Sequence, residues 1–216
     1  MRLSDFYTAL RLALVLPFFA LYHMPRWVVM YFPAANVGRV VSIASVLLFL
    51  FIACTDFLDG YYARKSGKYS SFGKVFDPFA DVIANVAVML CLVADNFMPV
   101  FLFLCILYRE FGMMFLRMLA CGEGHVVGAQ RMGKLKTASY MGAILFSLLL
   151  KALYAFELAG ADWYERMRAV GRLVYVVPVV LALASFFSYL KTFFPILKRV
   201  CGRTRYPVCK TCREWD

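Results

Sequence analysis

Long apolar segments alternate with shorter polar links along most of the chain. Each segment is predicted to be a membrane-spanning helix, and the six lie at residues 7–30, 38–56, 76–95, 98–120, 136–156 and 172–194. Each has close to the roughly 20 residues that a helix needs to cross the hydrocarbon core of a bilayer. The pattern therefore predicts an all-α membrane protein with six transmembrane helices and no separate soluble domain.

Charged residues interrupt most of these segments, and only the stretch 173–190 reaches 18 residues without one. Two explanations compete: core helices of a soluble protein, or membrane helices whose charges face an internal site. The chain is 63% hydrophobic and 17% charged, and its mean hydropathy is +0.71. Soluble domains are typically about 45–50% apolar and about 25% charged. Membrane helices are favoured, and their ionisable residues become candidates for function.

The chain has 216 residues, with 24 Lys and Arg against 13 Asp and Glu, a net charge of +11. The basic residues concentrate at both termini and in the links after the second and fourth segments. By the positive-inside rule, this side is cytoplasmic, and both termini lie there. We expect residues 1–200 to form one transmembrane domain and residues 201–216 a basic cytoplasmic tail beside membrane lipids. So apolar a chain is not expected to bind nucleic acid.

Three cysteines lie in or beside the tail, namely Cys201, Cys209 and Cys212. A structural zinc site needs four ligands, so the tail alone does not complete one. A basic tail that rests on anionic lipid head groups is the favoured interpretation.

Four aspartates cluster within 26 positions: Asp56, Asp59, Asp77 and Asp81. Each pair lies on one helix face, because its spacing is i, i+3 or i, i+4. We expect the second and third helices to be antiparallel neighbours, with the carboxylates converging at the cytoplasmic boundary. Helix capping would explain Asp77 before Pro78, but it leaves the first pair unexplained. Carboxylates that close together favour a hard divalent cation such as Mg²⁺ or Mn²⁺.

The residues between the two pairs add phosphate chemistry. Gly60 leaves room for a ligand beside the carboxylates, and Arg64 can hold a phosphate in bidentate fashion. Together these residues indicate a diphosphate bound through divalent metal ions, with substitution at phosphorus as the expected reaction.

The chain from Asp56 to Asp81 resembles the CDP-alcohol phosphatidyltransferase family. It matches the signature D-x2-D-G-x2-A-R-x8-G-x3-D-x3-D at all eight fixed positions, from Asp56-Phe-Leu-Asp59-Gly60-Tyr-Tyr-Ala63-Arg64 through Gly73 to Asp77 and Asp81. The resemblance implies a six-helix membrane enzyme, a homodimer, that transfers a phosphoalcohol from a CDP-linked donor to an acceptor hydroxyl and releases CMP. For this chain it implies the bacterial cytoplasmic (inner) membrane.

The resemblance also implies roles for individual residues. Asp56, Asp59, Asp77 and Asp81 would bind two divalent cations, Mg²⁺ or Mn²⁺, and Asp81 would also be the general base. The CDP-linked donor would contact Asp5, Thr8, Gly60, Arg64, Ser70 and Gly73.

A second group of residues concerns the acceptor, namely Arg109, Arg117, Lys134 and Lys136. It resembles the branch of the family that makes phosphatidylglycerophosphate from CDP-diacylglycerol and glycerol 3-phosphate, which would then be the two substrates. An unpaired cation inside the fourth segment is costly, and an anionic substrate or Glu110 would offset that cost. The group is therefore expected to bind the acceptor phosphate. Val82, where this branch has Lys, and Asp5, where it has Asn, depart from the pattern.

Alternatives remain open at this point. Within the same family, the acceptor could be serine or inositol phosphate, or the donor CDP-choline or CDP-ethanolamine. A different class, a membrane cation transporter, would also place carboxylates in membrane helices. Transport gives no reason for Gly60, Arg64 and Gly73 to accompany them.

Overall fold

A computed structural model of the chain describes residues 3–28, 35–66, 73–122, 131–158 and 160–202. Their regular secondary structure is entirely helical. The helices are α1 (Leu3–Val28), α2 (Ala35–Ser66), α3 (Gly73–Ala94), α4 (Val100–Gly122), α5 (Arg131–Ala155), α6 (Ala161–Val174) and α7 (Val176–Gly202). The all-α prediction is confirmed for this part of the chain.

Five stretches of helix are long and apolar enough to cross a membrane: Phe6–Met24, Val37–Thr55, Phe76–Ala94, Leu135–Ala155 and Ala161–Lys191. Helix α4 has 23 residues, which is long enough, but it carries Arg109, Glu110 and Arg117. Many large apolar side chains point outward, and Leu16 and Phe101 remain 75% and 73% exposed. Apolar surfaces of this kind are suited to lipid, so the protein is a multi-pass membrane protein.

The described part of the structure has one helix more than the six that the apolar segments predict. It lies between the fifth and sixth segments, where residues 157–171 were expected to be a link. Helix α6 follows Gly160, and Tyr175 alone separates it from α7. The helix is amphipathic: Gly171 is buried, and Tyr164 and Met167 pack against the core. Its charged residues lie outward, which is why the stretch has no long apolar run to reveal it.

Two helices extend beyond their apolar segments. Helix α2 continues ten residues past Asp56 to Ser66, and α3 begins at Gly73, four residues before Asp77. Asp77 therefore lies in the second turn of α3, where it cannot cap the first turn. The capping alternative for Asp77 is wrong.

Helix α1 makes the closest described contacts with the next two helices. Helix α1 packs closely against both α2 and α3, whereas α2 and α3 show no close packing against each other in the described part of the chain. Helices α1 and α3 run parallel, because Thr8 contacts Asp77 at one end and Tyr22 contacts Asp95 at the other. The expected contact of α2 with α3 falls at the ends that carry the four aspartates, where the side chains of α2 lie outside the described part of the chain, so it stays a prediction.

The remaining helices complete one bundle. Helix α5 packs against α2, α6 and α7, and α4 packs against α3 and α7. The core is built mainly from large apolar side chains, which include Phe18, Met89, Leu92, Ile106, Ile144 and Leu148. The polar groups described below lie between these helices, where they are shielded from lipid.

Candidate active site

The first polar group joins α1 to α3. Thr8 Oγ1 donates a hydrogen bond to Asp77 Oδ1 at 2.8 Å, and Arg11 forms an ion pair with Asp81. The Arg11 side chain is only 2% exposed, while that of Asp81 is 44% exposed. Thr8 and Arg11 are three residues apart and Asp77 and Asp81 four apart, so parallel helices match them turn by turn. Helix α1 therefore holds both carboxylates of α3 in place.

The chemistry of this group suits a divalent cation. Asp77 and Asp81 offer carboxylate oxygens, the ligands that Mg²⁺ and Mn²⁺ prefer, and the exposure of Asp81 leaves its carboxylate open to a ligand. Asp56 and Asp59 lie on α2, where the structure describes only the helical backbone. Among the side chains that it describes, no three His, Cys, Asp or Glu come together. The described carboxylates fit the predicted cations, and the full ligand set stays a prediction.

The second polar group, the acceptor cluster, consists of Arg109, Glu110, Lys136 and Tyr140. Lys136 Nζ donates to Glu110 Oε1 at 2.6 Å, and Tyr140 Oη donates to the same oxygen at 3.0 Å. Arg109 Nη1 donates to Glu110 Oε2 at 3.0 Å. All four residues are at least nine-tenths buried. Glu110 thus connects α4 to α5 and is paired with two cations.

Helix α7 holds the far side of Arg109. The guanidinium donates from Nε to the carbonyl oxygen of Ala182 at 3.2 Å and from Nη2 to Ser185 Oγ at 3.1 Å. One turn further along, Gly112 allows close approach of α7, since a Cβ there would lie 3.1 Å from Phe186 Cε2. Small residues often permit such contacts between membrane helices. Arg109 is therefore fixed from two sides by groups of the protein itself.

The acceptor cluster carries more positive than negative charge. Both described ion pairs of the cluster use the Glu110 carboxylate, with Arg109 at Oε2 and Lys136 at Oε1. The two cations of the cluster, Arg109 and Lys136, share the single carboxylate of Glu110, which leaves a surplus of one positive charge. Burying such a surplus is costly unless an anion joins it.

A third group, the far-end cluster, lies toward the other ends of α1, α3 and α5. Tyr22 Oη and Lys151 Nζ both donate to Asp95 Oδ2, at 2.6 and 2.7 Å. Lys151 Nζ also lies 3.5 Å from the centre of the Tyr22 ring, a cation–π contact. One cation here meets one carboxylate, and nearby Arg39 pairs on the surface with Glu157.

The structure brings together some predicted site residues and leaves others undescribed. It places Thr8 with Asp77, Asp81 beside α1, and Lys136 with Arg109. It describes only the helical backbone at Asp5, Asp56, Asp59, Gly60, Arg64, Gly73, Lys134 and Cys201. Ser70, Cys209 and Cys212 lie outside the described residues, as does the tail from residue 203.

Four residues of these groups were not among the predicted site residues: Arg11, Glu110, Tyr140 and Ser185. Arg11 had a signal, because it is a charge inside an apolar segment and lies one turn after Thr8. Glu110 was recognised only as a counter-ion. Tyr140 and Ser185 resemble any other polar residue of a membrane helix, so their role appears only when the helices are packed.

Comparison with known proteins agrees with this geometry. The sequence model of the CDP-alcohol phosphatidyltransferases matches residues 1–197. The chain belongs to the CDP-alcohol phosphatidyltransferase family. It is therefore a membrane-bound phosphatidyltransferase, and the signature on α2 and α3 lies in the matched region.

Individual relatives bear one common name. The chain is 99% identical over its full 216 residues, and over all of the relative, to the CDP-diacylglycerol--glycerol-3-phosphate 3-phosphatidyltransferase of Treponema pallidum (strain Nichols). The protein of that name from Bacillus subtilis (strain 168) is 39% identical over 55% of the chain and 61% of the relative. That from Mycoplasma pneumoniae is 31% identical over 70% of the chain and 67% of the relative.

Proposed function

We propose that this phosphatidyltransferase moves a phosphatidyl group from CDP-diacylglycerol to glycerol 3-phosphate and produces phosphatidylglycerophosphate and CMP. The observation that carries the proposal is the positive surplus in the acceptor cluster, where Arg109 and Lys136 share the single carboxylate of Glu110. A phosphate monoester carries about −1.5 to −2 charges at pH 7, so its binding would compensate that surplus. Serine, an acceptor without a phosphate, would leave it uncompensated. The name shared by the relatives supports the same substrates.

The donor site is proposed at the α1–α3 end of the bundle. Asp56, Asp59, Asp77 and Asp81 would hold two divalent cations, Mg²⁺ or Mn²⁺, and Asp5, Thr8, Gly60, Arg64, Ser70 and Gly73 would contact the CDP part of the donor. Bound cations polarise a diphosphate and neutralise charge on the departing nucleotide. Support comes from the bond of Thr8 to Asp77 and from the open carboxylate of Asp81.

Each group of residues would have a separate role in the reaction. Asp81 takes the proton from the 1-hydroxyl of glycerol 3-phosphate, and that oxygen forms a bond to the phosphatidyl phosphorus. The bond between this phosphorus and the bridging oxygen of the diphosphate breaks, and CMP leaves with the electron pair. Lys136, with Arg109, Arg117 and Lys134, holds the acceptor phosphate and contributes through proximity. Thr8 and Arg11 keep the α3 carboxylates oriented.

The placement in the membrane follows from the same division. We assign α4 as a sixth span beside the five apolar stretches, because its three charged residues include Arg109 and Glu110, which face other helices rather than lipid. Both termini would lie in the bacterial cytoplasm, with residues 1–200 in the inner membrane as a homodimer and the basic tail 201–216 on its surface. The lipid tails of the donor can then remain in the bilayer while the acceptor enters from the cytoplasm.

The test is CMP release by the purified protein in detergent with CDP-diacylglycerol. Glycerol 3-phosphate, serine and inositol phosphate are compared as acceptors, each with Mg²⁺, Mn²⁺ or EDTA. We expect CMP only with glycerol 3-phosphate and a divalent cation. Equal rates with serine, or unchanged rates in EDTA, would contradict the proposal, and the Asp81→Asn protein gives the background rate.

A further inference from the structure

Glu110 has an unusual position for a carboxylate that has no part in the proposed chemistry. Both of its oxygens accept hydrogen bonds: Oε2 from Arg109, and Oε1 from Lys136 and Tyr140. The Glu110 side chain is 8% exposed. Both carboxylate oxygens of Glu110 therefore bind groups of the protein, and neither faces a substrate.

Packing explains why this carboxylate matters to the geometry. Helices α4 and α5 each pack closely against α7, but they do not pack closely against each other in the described part of the chain. The contact of Glu110 with Lys136 and Tyr140 therefore ties α4 to α5 across a gap that backbone packing does not close. Arg109, held by Ala182 and Ser185 of α7, fixes the other oxygen of Glu110.

The bond to Glu110 also limits where the Lys136 ammonium can be. A lysine side chain is flexible and has three donors. One donor points to Glu110 Oε1, and the ring of Tyr140 lies 5.0 Å from Nζ. Phosphate oxygens can take the other donors only where this arrangement places them.

We propose that Glu110 is a positioning residue of the acceptor site, which sets the location of Lys136 and Arg109 for the phosphate of a phosphorylated alcohol. Glu110 acts through these cations and does not touch the substrate. The inference rests on the proposed function, because it assumes that the acceptor cluster binds the acceptor phosphate. It adds a negatively charged residue to a site that was predicted from cations alone.

The Glu110→Gln substitution distinguishes a positioning role from a charge-balancing role, because the two roles predict opposite changes in the KM for glycerol 3-phosphate. Removal of a negative charge from a cationic site strengthens its attraction for phosphate, so a charge-balancing role predicts a lower KM for glycerol 3-phosphate. Loss of positioning predicts a higher KM, with a fall in kcat/KM of about 100-fold if the cations shift by about 1 Å. The KM for CDP-diacylglycerol stays near its original value in the positioning case. An unchanged or lower KM for glycerol 3-phosphate overturns the inference.

A second variant covers the case in which Glu110→Gln does not fold. Glu110→Asp keeps the charge but withdraws the carboxylate by one methylene. Positioning predicts a KM for glycerol 3-phosphate above that of the original protein, whereas charge balance predicts no change. Tyr140→Phe is the matched control, since it removes one hydrogen bond to the same oxygen and leaves every charge in place, and its KM rises least.

A double-mutant cycle tests whether Glu110 acts through Lys136. Lys136→Met combined with Glu110→Gln should raise the KM for glycerol 3-phosphate by less than the product of the two single effects, because only Arg109 is then left for Glu110 to position. Independent, multiplicative effects overturn the inference.

Comparison of several acceptors distinguishes a failure of the proposed function from a failure of the positioning role of Glu110. If the original protein uses another phosphorylated alcohol, the named acceptor is wrong and the same variants are measured with that alcohol. If it uses only an unphosphorylated acceptor, both proposals fail. If it uses glycerol 3-phosphate and Glu110→Gln leaves its KM unchanged, only the inference fails.

Discussion

The acceptor cluster and the far-end cluster are built from the same kinds of residues on the same bundle. Each has a lysine of α5 bound to a carboxylate that also accepts a hydrogen bond from a tyrosine. Lys136 and Lys151 are 15 positions apart, about 22 Å along the helix. The described ion pair of the far-end cluster joins one cation to one carboxylate, while in the acceptor cluster a second cation, Arg109, shares the carboxylate of Glu110 with Lys136.

The difference lies in charge balance rather than in burial. A balanced buried pair satisfies itself and can serve only to hold helices together, and breaking it leaves an uncompensated charge. A surplus of like charge is costly to bury unless an anion joins it. The proposed acceptor site therefore rests on the net sign of the buried charge rather than on burial alone.

The largest expected difference between the two ends concerns carboxylates. Asp81→Asn is expected to lower the rate of CMP release by about 10²- to 10⁴-fold, because a general base is lost. Asp95→Asn makes the same chemical change at the far end and should leave that rate within a few-fold. Initial rates of both purified proteins check this. Near-normal turnover of Asp81→Asn would remove Asp81 from the role of base.

The two lysines of α5, Lys136 and Lys151, should affect different properties of the protein when they are replaced. Lys151→Met breaks the far-end pair, and we expect a loss of stability on the order of 2–3 kcal/mol. Fully buried pairs cost about 3–5 kcal/mol to break, and these side chains retain some exposure. Lys136→Met should instead raise the KM for glycerol 3-phosphate. Thermal unfolding in detergent and steady-state kinetics are measured for both, and a raised KM in Lys151→Met would erase the distinction.

Two arginines give the smallest expected effects. Arg117→Ala should raise the KM for glycerol 3-phosphate by about tenfold, since a hydrogen bond to a charged group contributes about 1.5–3 kcal/mol. Arg39→Ala breaks the exposed pair with Glu157, in which the partner is 82% exposed. Such pairs contribute less than about 1 kcal/mol, so neither KM nor Tm should change appreciably. A tenfold effect of Arg39→Ala on KM would place part of the acceptor site at the far end.

Much of the site could be predicted because it is local in sequence. The pairs Asp56/Asp59 and Asp77/Asp81 have helical spacing, and apolar segments show where the helices run. Helix ends were less predictable: α2 continues to Ser66 through polar residues that hydrophobicity does not mark. Helix α6 was missed for the same reason, since its amphipathic pattern has no long apolar run.

The sequence by itself determined that this is a helical membrane protein, that it has the residue set of a CDP-alcohol phosphatidyltransferase, and that it has an excess of cations near the fourth and fifth segments. Only the tertiary structure decided how those charges are paired. It packed α1 against both α2 and α3, paired Arg11 with Asp81, and joined Arg109 to Ser185, 76 positions away. The reason is physical: spacing along one helix fixes which side chains share a face, but contacts between helices depend on packing of the whole bundle.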